Sequence, residues 1–187
     1  METTHNRIQT PLSDDLVLDL RAGDRIWLSG VIFAARDAAH KRLVERIQQG
    51  QTLPFDLKGS VIYYVGPAPA RPGMAVGSAG PTSSYRMDPY TLPLLERGLK
   101  AMIGKGPRGP EVVRAMQKNR AVYFAATGGA GALLSKTMIA SRIVADEDLG
   151  PEAVRMITVV DFPAIVVNDC HGRDLYAEGR NSFAIDE

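Results

Sequence analysis

A single cysteine, Cys170, stands among 187 residues, which excludes an intrachain disulfide framework and suits a reducing compartment. The three histidines, His5, His40 and His171, are spread along the chain. One thiol and three scattered imidazoles cannot by themselves hold an iron–sulfur cluster or an ordinary zinc ion. No apolar run approaches the roughly 20 residues a membrane-spanning helix needs. The polar stretch 1–15 lacks a signal-peptide core, so a cytoplasmic protein is expected. Nor does either sign of charge dominate. A net charge of +1 gives no electrostatic footprint for nucleic acid or an anionic membrane. Internal repeats and low-complexity segments are absent.

What is present is ordinary for a globular chain: 45% apolar and 23% charged residues, and enough length for one domain with a real core. Segments 25–28 and 31–34 read as two short strands around Ser29-Gly30, and 16–20 alternates apolar with polar. A helix is expected over 37–49, stopped by Gly50, and continuous apolar runs at 60–65, 101–103 and 121–126 read as buried strands. Asp88 is placed to cap a helix that has Pro89 at its first position, and 110–118 forms another. Segments 157–160 and 165–167 read as the last core strands. Strand–loop–helix units recur, which favours an α/β class, and the extra strands near the start suggest a second β layer. The expected organisation is a polar extension over 1–14, one domain over 15–177 and a polar tail over 178–187.

The glycine runs fail as nucleotide motifs. Gly128-Gly129-Ala130-Gly131 lacks the dinucleotide spacing, and Gly104-Lys105-Gly106 lacks the spacer and hydroxyl partner of a phosphate-binding loop. No Ser-His-Asp arrangement is evident either. The stretch 77–88 (GSAGPTSSYRMD), following the proline-rich segment 66–73, is of another kind. Its glycines let the backbone approach something closely, its hydroxyls can exchange protons, and Arg86 suits a carboxylate or phosphate. Taken plainly, it is a tight polar surface loop. Arg36 and Lys105 join Arg86 at strand-to-helix junctions, where α/β proteins bind ligands. Three converging cations would bind a doubly charged anion, although each taken singly reads as a solvated surface charge. Thr82 is the candidate hydroxyl, His40 reads as structural, and Cys170 as a half-buried apolar residue.

The block 36–42 (RDAAHKR), Gly66-Pro67, the stretch 77–88 and Ile103-Gly104-Lys105-Gly106 together resemble the β subunit of class I fumarate hydratase and L-tartrate dehydratase. In single-chain members the same unit forms the C-terminal domain. The resemblance runs over roughly 16–176 and takes in Gly128-Gly129-Ala130 and Asp161-Phe162-Pro163. It implies a swivelling β/β/α domain, layered sheets with helices on one side, that closes over a 4Fe–4S cluster held by an α subunit in an α2β2-type assembly. The single cysteine here fits that division of labour. By the same resemblance, Arg36, Arg86 and Lys105 hold the carboxylates of malate, fumarate or tartrate, and Thr82 is the base at C3, activated by an acid of the partner. Ser83 and Tyr85 depart from the family pattern of a second threonine and a glycine, which leaves fumarate, tartrate or a methylated relative open. The alternative is a non-catalytic dicarboxylate-binding or assembly module with the same fold.

Overall fold

Three short strands, β3 (Val61–Tyr63), β4 (Ala101–Gly104) and β5 (Val122–Ala125), account for the apolar runs without polar alternation. In the computed structural model, which describes residues 5–184, they lie parallel and adjacent. Both of their faces are covered. Val61, Tyr63, Ile103 and Phe124 enter one core, while Ile62, Met102 and Tyr123 enter a second. A strand buried on both sides has no face left for water, so every position is apolar.

The second core is closed by three helices, α2 (Asp37–Gln48), α3 (Asp88–Glu96) and α4 (Pro110–Asn119). They contribute Ala39 and Leu43, Leu94 and Leu95, and Val112 and Met116, and the i, i+4 pairs of α2 and α4 each share a helical face. The first core is closed by β2 (Arg25–Ala34) and β7 (Val154–Asn168), which pair antiparallel and bring in Ile26, Leu28, Ile32, Ile157, Val159 and Phe162. β2 also pairs with β3, and β7 with β5, so β2, β3, β4, β5 and β7 close on one another as a ring. β1 (His5–Gln9) lies parallel to β2, and β6 (Met138–Ala145) antiparallel to β7 on its outer side. The chain is thus α/β, as its strand–loop–helix rhythm suggests. Among the described residues no helix is long and apolar enough to cross a membrane.

Several local expectations need correction. Segments 25–28 and 31–34 form one strand, with a register shift between Leu28 and Gly30 instead of a break. Likewise β7 is a single 15-residue strand. Asp161 takes a left-handed φ of 50° within it, and its N–H donates to Ser29 Oγ at 3.0 Å. Here two residues of one strand oppose one of the other, the arrangement of a β-bulge. The alternation at 16–20 belongs to a helix, α1 (Asp14–Asp19), started by Ser13 Oγ accepting from Leu16 N–H. β1 falls inside the stretch read as a polar extension, and a last helix (Leu175–Phe183) runs into the stretch read as a tail. Both are outlying elements with wet faces, so their polarity concealed them.

Asp88 is the first residue of α3 and does not cap it. Its carboxylate instead accepts from Arg108 Nε and from Gly109 N–H, both at 2.7 Å. Arg108 is the hub of the second core beneath the loops. Its side chain has no exposure, and it donates to Thr91 Oγ1 at 2.7 Å and Tyr64 Oη at 3.1 Å. It also lies over the rings of Tyr64 and Tyr123, 5.4 and 5.3 Å from their centroids. Tyr123 Oη in turn bonds Ser84 Oγ at 2.7 Å and donates to the Gly106 carbonyl at 2.9 Å. Gly104 makes this packing possible. A Cβ there would stand 2.0 Å from Ser84 Oγ and 2.9 Å from the Tyr64 ring. Gly104→Ala is therefore expected to cost about 1–3 kcal/mol by overpacking. Urea unfolding monitored by circular dichroism checks this, and an unchanged midpoint would contradict it.

Candidate functional site

The candidate residues gather where the parallel strands end. The chain after β3 forms the loop 66–83, then a short 3-10 turn (Ser84–Met87) that leads into α3. Thr82 N–H donates to the Tyr64 carbonyl at 2.7 Å, and the Thr82 carbonyl accepts from Lys105 N–H at 3.1 Å. Ser84 N–H then donates to the Lys105 carbonyl at 2.9 Å. The segment around Ser83 is thereby stitched between the ends of β3 and β4 as a short extra bridge. Thr82 and Lys105 are main-chain neighbours for this reason, although far apart in sequence. Lys105 is exposed, and its stem runs beside the Gly128 backbone after β5, 3.6 Å from where a Cβ would stand.

Gly77 serves the loop itself. A Cβ on Gly77 would stand 2.4 Å from the Pro69 carbonyl oxygen and 2.8 Å from that of Ala68. The close approach that Gly77 allows is therefore to its own chain. The fold is fastened further by Tyr63 Oη donating to the Ala79 carbonyl at 2.7 Å and Ala79 N–H donating to the Gly131 carbonyl at 3.1 Å.

The two arginines meet through a carboxylate. Arg36 ends β2's connection into α2, and Arg86 sits in the 3-10 turn. Asp37, first residue of α2, takes Arg36 Nε on Oδ2 at 3.1 Å and Arg86 Nε on Oδ1 at 2.8 Å. Burial pushes the Asp37 carboxyl up, but its own N–H and the two guanidinium groups outweigh this and hold it below the usual carboxylate range. Arg36 also reaches Glu152 at 3.1 Å, whose other oxygen accepts Ala38 N–H at 2.9 Å. The structure thus ties Arg36 to Arg86 and Thr82 to Lys105. Among the described residues Lys105 has no ion-pair partner, and Thr82 Oγ1 makes no hydrogen bond.

Asp37, Glu152 and Arg108 escaped the sequence reading. Asp37 looks like an ordinary acidic residue in the first turn of a helix, and Arg108, between glycines and prolines, looks like a solvated loop charge. Only the Pro-Arg-Gly-Pro context hinted that the loop was held. His40 behaves as expected of a structural residue: it is fully buried, edge-on to Tyr64, and burial lowers its pKa to about 4. Cys170 is buried with Sγ toward the Val17 carbonyl, and His171 faces the Leu18 carbonyl. The side chain of His5 lies outside the described residues. Tyr85 is 64% exposed, its ring turned away from the core.

Among the described residues no group of three His, Cys, Asp or Glu side chains stands close enough to hold a metal ion. What the chain offers is two arginines joined through Asp37, and Lys105 paired by its main chain with Thr82, whose hydroxyl is unengaged among the described residues.

Comparison with known proteins places the chain in a family. A family model described as Fumarase C-terminus matches residues 2–179. Fumarate hydratase 2 of Leishmania major is 40% identical over 158 residues, covering 83% of this chain and 28% of that protein. Fumarate hydratase class I, aerobic, of Escherichia coli K12 is 40% identical over 156 residues, covering 82% and 28%. A putative L(+)-tartrate dehydratase subunit beta of Methanocaldococcus jannaschii is 35% identical over 184 residues, covering 95% of this chain and 92% of that one. The chain spans little more than a quarter of these two fumarate hydratases, and almost the whole of the tartrate dehydratase subunit. Its matched residues take in every strand end of the candidate site, and the chain belongs to the fumarase C-terminus family.

Proposed function

We propose that this chain is the β subunit of an iron–sulfur-dependent hydro-lyase that reversibly removes water from a small 2-hydroxy dicarboxylate, malate or fumarate first and tartrate next. The observation that carries the reading is the pairing of Thr82 with Lys105 on adjoining strand ends, beside the Arg36–Asp37–Arg86 cluster. A dicarboxylate needs cations at two places and a proton acceptor between them, and these residue types meet that need. Tartrate dehydratase subunit beta, a relative of matching length, supports the separate-subunit reading.

In this reading Arg36, Arg86 and Lys105 bind the two carboxylates and orient the substrate. Thr82 Oγ1, its proton drawn off by the carboxylate of an acidic residue of the partner, takes the C3 proton while the C2 hydroxyl leaves with the C2–O electron pair and departs as water, completed by the proton that carboxylate holds. Charge that builds on the carboxylate next to C3 is met by the fixed cations. That Thr82 Oγ1 has no hydrogen-bonded base among the described residues supports a partner-supplied acid. The residues described here do not fit an iron–sulfur cluster, so we assign the cluster to the α subunit of a cytoplasmic α2β2-type assembly. The unit would act as a swivelling β/β/α domain that closes on that partner. One observation favours the non-catalytic alternative: Asp37 and Glu152 already occupy the arginines, as in a module that binds an anion weakly or only assembles.

Anaerobic co-expression with a cluster-bearing partner, followed by assays on fumarate, tartrate and mesaconate, decides between them. In that assembly Arg86→Ala should lower kcat/KM by about 30-fold or more, equivalent to roughly 2 kcal/mol of transition-state binding. An assembled complex that turned over none of the three substrates would favour the binding module. Turnover by the isolated chain without iron would overturn the subunit reading.

A further inference from the structure

A cavity of about 270 Å³ opens between the proline-rich loop and the turn preceding β7. Pro67, Pro69 and Val76 form one wall, Pro151 another, and Arg155 supplies the sole charge among the lining residues. None of Thr82, Arg36, Arg86 or Lys105 lines it. Arg155 Nε has almost no accessible surface and no hydrogen-bond partner among the described residues, and its guanidinium has no ion pair among them. The other arginines drawn into the fold, Arg36, Arg46 and Arg108, each hold a carboxylate. Glu152, the acid closest along the chain, is committed to Arg36 and to Ala38 N–H. The terminal guanidinium nitrogens are not enclosed and have no carboxylate of their own, so they can take an anion from outside.

The walls narrow the kind of anion. Three of the lining residues are prolines, which carry no N–H, and the Ala68 amide is already given to the Ser78 carbonyl. A phosphate would find one cation and few donors for its remaining oxygens. A carboxylate matches the planar guanidinium fork, and a short aliphatic chain matches the proline, alanine and valine walls. One positive charge suits a monoanion. We propose that this cavity is a binding site for a small aliphatic monocarboxylate, held by Arg155 and separate from the candidate dicarboxylate site. The two sites share a wall. A Cβ on Gly66 would stand 3.1 Å from the Pro151 carbonyl oxygen and 3.3 Å from Arg36 Cδ.

Arginine Nε–H resonances make the site directly observable in the 15N-labelled full-length chain. Butyrate titration should move the Arg155 Nε–H signal saturably, with a Kd of about 1–10 mM for a single guanidinium–carboxylate contact. Arg155→Gln should weaken butyrate binding about tenfold or more, read from backbone amides around Val76, whereas Arg36→Gln should leave it within about twofold. Inorganic phosphate should bind about tenfold more weakly than butyrate. Butyrate binding that survives Arg155→Gln, or that disappears with Arg36→Gln, would overturn the site. Phosphate binding as tight as butyrate would overturn the assignment to a monocarboxylate. Should Arg155→Gln not fold, the wild-type titration decides, and an unmoved Arg155 signal at about 50 mM butyrate rejects the proposal.

Discussion

Arg108→Met is expected to lower the unfolding free energy by about 3–5 kcal/mol, the usual consequence of breaking a buried ion pair by removing one partner. The reasons are local. Arg108 is wholly enclosed, with Asp88 at 2.7 Å, Thr91 at 2.7 Å and Tyr64 at 3.1 Å. Methionine fills a comparable volume but donates nothing. Asp88, whose side chain is 20% exposed, would keep only the Gly109 amide, and the Tyr64 phenol would lose its guanidinium donor inside the core. Burial pushes the Tyr64 phenol far toward its neutral form, so ionisation offers it no escape. Burial likewise works against the Arg108 charge, yet Tyr64, Asp88 and Tyr123 outweigh it and keep the guanidinium protonated. Denaturant unfolding of the isolated chain measures the loss. A change below about 1 kcal/mol would mean that the network is wet enough to be replaced by solvent. Asp88→Asn combined with Arg108→Met should cost less than the two single changes added together, because the first removes what the second strands.

Thr82→Val has the opposite profile. The main-chain bonds of residue 82 to Tyr64 and Lys105 are independent of its side chain, so folding and stability should be nearly unchanged. In the assembled enzyme kcat should fall about 10²–10⁴-fold, the range that a positioned proton acceptor contributes, while KM changes by no more than about threefold. Thr82→Ser should recover much of the loss, since it restores the hydroxyl. Steady-state kinetics on fumarate and tartrate would show the split. Valine with full turnover would move the base to another residue, and a large rise in KM alone would make Thr82 a binding group. Unlike the Arg108 change, this one leaves the unfolding midpoint where it was, so the two separate scaffold from chemistry.

How much of this was legible in the chain follows from where each residue ends up. β3, β4 and β5 announce themselves because both of their faces are dry. β6 does not, since Ile139 is 62% exposed and its two polar residues, Ser141 and Arg142, stand side by side without alternation. β7 was divided in the reading because Asp161 and Pro163 look like a stop. The bulge at Asp161 and the pairing with β2 carry the strand through both. Arg36, Arg86 and Lys105 stand out because each follows a strand or precedes a helix, a position that pattern alone reveals. Their partners do not. Asp37 joins Arg86 and Glu152 joins Arg36 across long sequence separations, and contacts of that kind have no local periodicity to betray them. Arg108 was hidden for a different reason: a buried arginine and a solvated one are the same letter, and the three aromatic and hydroxyl groups around it come from separate elements.

The stitching of Thr82 and Ser84 to the ends of β3 and β4 bears on how fast a partner would find this chain. A loop that must fold on contact loses conformational freedom at the moment of association and slows the approach to a tight complex. Here the loop is fastened beforehand to strands that close into a ring, so that entropy is already lost when the chain folds. Association should resemble the docking of two rigid bodies, with a rate constant that changes little with temperature-dependent loop order. Differences in affinity among loop variants should then appear in dissociation, as residence time.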